Sequence, residues 1–154
     1  MRTSASAWLL LAAFLTAACS TGEGSTMNEG QAAERIEHYI ADAVGQLSPR
    51  PTMRQALFNS VPCDGLVKGD GAGVNVEHNY ALLEVPRAGH AAVFDTLAGY
   101  WAGLRYNVLR DDRGSGAPGV VVQTPDGFVV KVDAGYSGDG LFIAGSSPCV
   151  SAGE

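Results

Sequence analysis

The chain has 154 residues, 46% of them hydrophobic and 17% charged. That length and composition fit one globular domain with a real core and exclude a disordered chain. Asp and Glu outnumber Lys and Arg by sixteen to ten, with no basic run. This argues against a nucleic-acid partner and against electrostatic docking on anionic lipid.

Residues 1–18 hold one charge, Arg2, followed by the apolar run Leu9–Leu15. This is the layout of an export signal, and the run is too short to span a bilayer as a helix. Leu15-Thr16-Ala17-Ala18-Cys19 resembles the lipobox of bacterial lipoproteins, whose cysteine thiol takes a diacylglycerol. It departs from that pattern in placing Thr16 where leucine is usual. Residues 1–18 are therefore expected to be a lipoprotein signal peptide, and Cys19 the lipidated, palmitate-bearing first residue of the mature chain. Thr16-x-Ala18 also suits the general signal peptidase, so an ordinary cleaved export signal remains the alternative. Residues 20–28 are polar and rich in Gly, Ser and Thr. They form a tether with a flexible reach of about 15–18 Å, so 19–28 place the domain near the membrane.

A single domain follows over 29–150. Ala33, Ile36, Ile40, Ala43, Val44 and Leu47 recur at helical spacing, predicting a helix over 29–47. Asn28 is a suitable N-cap. Ser48-Pro49-Arg50-Pro51 ends the helix, because a residue before proline disfavours helical angles. Residues 52–62 carry Met53, Leu57, Phe58 and Val61, and read as a short helical turn or an extended cover over the core. Val74, Val76, His78, Tyr80 and Leu82 alternate, predicting a strand over 74–85 that Pro86 ends. Val93, Phe94, Leu97, Tyr100, Trp101 and Leu104 predict a second helix over 88–103 that packs on a sheet.

Four strands are expected next, over 105–110, 119–124, 128–134 and 141–145. Thr124-Pro125-Asp126-Gly127 is the clearest turn, with Gly127 at the left-handed position. In the third of these strands Phe128, Val130 and Val132 should face inward. Short connections make the four an antiparallel meander. The expected fold is α+β, a two-layer domain with a largely antiparallel sheet of about five strands. Two helices cover one face.

The chain has three cysteines, Cys19, Cys63 and Cys149. Lipidation uses Cys19, and Cys63 and Cys149 can then pair in an oxidising compartment without a leftover thiol.

No catalytic constellation emerges. His38, His78 and His90 fall on three different elements without a second His or Cys at ligand spacing, so no metal is expected. Gly69-Asp70-Gly71-Ala72-Gly73 has the wrong spacing for a dinucleotide loop, and a strand follows where a helix should. Gly135-Tyr136-Ser137-Gly138 lacks the glycine spacing of a nucleophile elbow and joins two strands. Ser146-Ser147-Pro148 offers hydroxyls with no evident base. Asp70, Asp111, Asp112, Asp126 and Asp139 sit in turns that explain them locally, with no twelve-residue calcium loop. Phe94, Tyr100 and Trp101 at helical spacing read as core before they read as a pocket. No cofactor is expected.

The lipobox, Val61-Pro62-Cys63, Trp101 with Gly103, Thr124-Pro125-Asp126-Gly127-Phe128, Gly138-Asp139-Gly140-Leu141 and Ser146-Ser147-Pro148-Cys149-Val150 form a set. Together they are similar to small lipoproteins of high-GC Gram-positive bacteria, the actinobacterial type. The resemblance covers most of the mature domain. It implies an envelope lipoprotein with a Cys63–Cys149 bridge and carries no catalytic residues.

The expected protein is thus a non-enzymatic binding module held by lipid on the outer face of the cell membrane. It would take an envelope protein, lipid or glycan. A structural or assembly accessory of an envelope complex, or an envelope hydrolase, are the alternatives. A deep apolar pocket with few polar groups would favour a small ligand, and a flat exposed apolar patch a protein partner.

Overall fold

The computed structural model describes residues 27–63, 73–135 and 140–152. The expected signal peptide over 1–18, Cys19, most of the expected tether and the turns expected around Asp70 and Asp139 lie outside the described residues. The element order is α1 (Glu29–Val44), β1 (Thr52–Pro62), β2 (Val74–Leu83), a 3-10 turn (Arg87–Gly89), α2 (His90–Gly103), β3 (Asn107–Asp111), β4 (Gly119–Gln123), β5 (Val129–Ala134) and β6 (Leu141–Ser146).

The fold is α+β: one open antiparallel sheet of six strands, ordered β1-β2-β6-β5-β4-β3, with two helices packed on it. β1 and β2 form a hairpin. The chain then crosses by α2 to the far edge and meanders back through β3, β4 and β5 until β6 closes against β2. β2 thus lies inside the sheet, between β1 and β6.

α1 lies over β2 and β6, and α2 over β4 and β5. The core between the layers holds Ile36, Ile40 and Val44 from α1 and Phe94, Leu97 and Trp101 from α2. Val76, Leu82, Val120, Val122, Val130, Val132, Leu141 and Ile143 meet them from the sheet. Burial of this apolar surface is the main term favouring the fold. α1 begins as expected at Asn28, whose side chain accepts from Gln31 N–H at 2.9 Å, while Gln31 answers the Asn28 N–H at 3.1 Å. This reciprocal cap satisfies two donors that the helix would leave open.

The sixth strand is β1, read from sequence as a helical turn or a cover. Its register slips between Gln55 and Leu57. Met53 and Phe58 pair opposite Leu82 and His78, on the helix side of the sheet, whereas Leu57 and Val61 pair opposite Asn79 and Asn75, on the other face. A bulge inserts one residue and so breaks the period-two pattern that marks a strand. Leu104 also differs from expectation. The helix stops at Gly103, Arg105 turns into the left-handed region at φ 59°, and Leu104 is left exposed.

Cys63, at the end of β1, and Cys149, after β6, form a disulfide with Cα atoms 5.9 Å apart. Beside it Val74 and Val150 exchange backbone hydrogen bonds at 2.8 and 2.9 Å. Gly73 is required here, since a Cβ would lie 2.5 Å from Cys149 Sγ and 2.6 Å from the Val150 carbonyl. The Glu29 N–H donates to the Ser151 carbonyl at 3.1 Å, so the start of α1 sits at this disulfide end. α1 then runs for about 24 Å at 1.5 Å per residue to the opposite end of the domain.

Candidate functional site

At that opposite end a cleft of about 400 Å³ opens between the chain leaving α1, the end of β2 and the first turns of α2. Leu47, Pro49 and Pro51 form one wall, and Val85, Pro86 and Val93 the other. Three prolines hold their φ angles near −65°, so much of the rim is preset. Polar groups are few: Ser48, Arg50, Glu84 and Thr96. The Thr96 hydroxyl is already spent on the Ala92 carbonyl at 2.8 Å. Among the described residues Glu84 is one of two non-glycine residues held at positive φ, at 64°, and its Oε2 accepts from the Thr52 hydroxyl at 3.1 Å. A left-handed backbone at a residue with a side chain costs free energy and occurs where the surroundings impose it. An apolar hollow of this size with a few polar groups is what a small-molecule site requires.

Two polar knots fasten α1 to the sheet. In the first, Glu37 accepts from Tyr80 through both oxygens, at 2.8 and 2.9 Å, and from His78 Nδ1 at 2.5 Å. Phe58 stacks flat on His78, with ring centres 3.8 Å apart, and meets Tyr80 edge-on. Burial, then the hydrogen bond to Glu37, pushes the Tyr80 phenol up to about 12. A shallow groove beside this knot is lined by Phe58, Ser60 and His78 among others. The Ser60 hydroxyl donates to Glu29. Ser60, His78 and Glu37 therefore do not form the hydrogen-bonded relay that activates a nucleophile.

In the second knot the Asp126 Oδ1 accepts from Tyr39 at 2.7 Å and from Thr124 at 2.6 Å, with Arg35 at 3.8 Å from Oδ2. Burial works to raise the Asp126 carboxyl, but the hydrogen bonds from Thr124 and Tyr39 and the charge of Arg35 outweigh it and hold it below the usual range. Burial and the bond to Asp126 push Tyr39 up to about 12. Gly127 takes φ 88°, the left-handed position expected of this turn.

The structure keeps the histidines apart. His38 is exposed and lies 3.3 Å from Asp42 on its own helix, His78 belongs to the first knot, and His90 is buried at the start of α2 with Nε2 unpartnered. Asp111 pairs with Arg113 and Asp112 with Arg110. Among the described residues no three His, Cys, Asp or Glu side chains gather as a metal ion would need. Phe94 and Trp101 are core, and Tyr100 packs against it. Sequence reasoning did not mark the cleft residues as a site. Their one signal was the prolines at 49, 51 and 86, which ended a helix and a strand at the same end of the fold. Among the described residues, no helix is long and apolar enough to cross a membrane.

Comparison with protein-family models, with curated proteins and with solved structures finds no match to this chain. The functional reading rests on the site and the sequence alone.

Proposed function

We propose that the chain is a non-catalytic binding module of the cell envelope, anchored by lipid on Cys19 at the outer face of the membrane, with the cleft as its ligand site. The observation that carries the reading is the 400 Å³ hollow with aliphatic walls and few polar groups, the feature that favours a small apolar ligand over a macromolecular partner. The export signal ending at Ala18-Cys19 supports the anchor. The α1 helix supports a polarity: its start, where the tether joins, and the cleft lie at opposite ends of its sixteen residues. A ligand would enter from the side away from the anchor.

Replacing Cys19 by Ala should move the protein from the membrane fraction to the soluble fraction. The N-terminal peptide of the unaltered protein should carry a diacylglycerol mass. Retention of Cys19→Ala in the membrane, with no lipid mass on that peptide, would overturn the anchor.

A role as an assembly accessory has one observation in its favour. Leu57 and Val61, on the face of the sheet away from the helices, are 47% and 43% exposed on the edge strand β1. A sheet edge with apolar side chains can pair with another chain.

A further inference from the structure

We infer that the cleft takes an anionic aliphatic amphiphile, its chain against Leu47, Val85 and Val93 and its head group at Arg50. This rests on the reading of the cleft as the ligand site and names what that site selects.

The walls decide the tail. None of the residues lining the cleft is aromatic, so no ring face is offered for stacking a base or an aromatic side chain. Proline-rich peptides dock in aromatic-lined grooves, and this cleft lacks that feature too. Aliphatic and proline side chains without hydrogen-bonding partners suit a hydrocarbon chain.

The rim decides the head. Arg50 is exposed at the cleft. Among the described residues it has no carboxylate partner, unlike Arg35, Arg110 and Arg113. Arg54 and Arg105 have none there either, but of these three only Arg50 lines the cleft. The one carboxylate in the cleft lining, Glu84, is turned to Thr52 across the end of the β1–β2 hairpin. An unpaired guanidinium can bind a carboxylate through two parallel hydrogen bonds, a stronger contact than a neutral head can make. A cationic head meets repulsion at the same place. The chain as a whole is net negative, so an anion has little reason to bind anywhere on it except beside such a group.

The test uses the mature chain from Cys19 onward, with Cys19→Ser so that no acyl chain competes, and with the disulfide intact. Dodecanoate, dodecanol and dodecyltrimethylammonium, each below its aggregation limit, are titrated by calorimetry. Dodecanoate should bind about tenfold tighter than dodecanol, a difference of about 1.4 kcal/mol, and the ammonium weakest. Arg50→Gln should bring dodecanoate level with dodecanol and leave dodecanol unchanged. Ala92→Trp, at an exposed helical position lining the cleft, should abolish binding of all three. Dodecanoate binding that ignores Arg50→Gln but is lost in Ala92→Trp would overturn the anionic selection and leave the cleft standing. Absence of binding by every probe would overturn both, and so would binding that ignores both substitutions.

Discussion

The Tyr39 hydroxyl donates to the Asp126 carboxylate at 2.7 Å, joining the middle of α1 to the turn between β4 and β5. Tyr80 does the same for α1 and β2 through Glu37. Both phenols are pushed up to about 12, by burial first and then by the carboxylate they serve. A phenol whose folded value is raised favours the fold fully below its unfolded value, about 10. That contribution is lost as pH rises through the folded value. The domain should therefore hold its stability up to about pH 10 and lose it as pH climbs towards 12. Denaturant midpoints across that range, with phenolate absorbance followed in parallel, check this. Tyr39→Phe should lower stability at neutral pH and flatten the alkaline fall. An unchanged slope in Tyr39→Phe and Tyr80→Phe together would contradict it.

Glu37 is the acceptor for the buried His78 and the half-buried Tyr80. Its side chain is 41% exposed, so water replaces part of what is lost on truncation. Glu37→Ala should cost about 2 kcal/mol, towards the low end for hydrogen bonds to a charged group. Paired with Tyr80→Phe in a double-mutant cycle, it should show a coupling of about 1 kcal/mol. Additive effects would mean that the two groups do not act together.

α1 packs tightly on β6 at Gly145. A Cβ on Gly145 would stand 2.8 Å from the Cγ2 of Ile36, which is fully buried. A branched side chain packed on all sides cannot swing clear. Gly145→Ala should destabilise by about 1–3 kcal/mol, the range for overpacking. Adding Ile36→Ala removes the colliding methyl, so the pair should be less destabilised than the two single changes summed. Thermal melts of the three variants decide it.

The Cys63–Cys149 bridge spans 86 residues of sequence. In the loop-entropy account a closed loop of that size stabilises by about 4–5 kcal/mol. Cys63→Ser should lower the denaturation midpoint by a corresponding amount without altering the folded near-ultraviolet spectrum. Unaltered protein isolated under non-reducing conditions should show no reactive thiol at either position.

Parts of this fold were legible because local chemistry and tertiary packing agree. Asn28 caps a helix whose Ile36, Ile40 and Val44 face the core, and Thr124-Pro125-Asp126-Gly127 makes the turn its residues favour. Cys63 and Cys149 followed from counting. β1 was missed because its bulge moves Leu57 and Val61 to one face and Met53 and Phe58 to the other, which mimics helical spacing. The cleft was missed for a different reason. Leu47, Val85 and Val93 come from three separate segments, and each alone reads as ordinary core. Glu37 meeting His78 and Tyr80, 41 and 43 residues away, is likewise set only by how α1 lies across β2.

Amide NMR of the labelled mature chain, titrated with dodecanoate, tests the binding module most directly. The account predicts saturable shifts at Leu47, Val85, Gly89 and Val93, with Phe58, Ser60, Glu77 and Lys131 unmoved. Shifts confined to β1, or none at all, would contradict it.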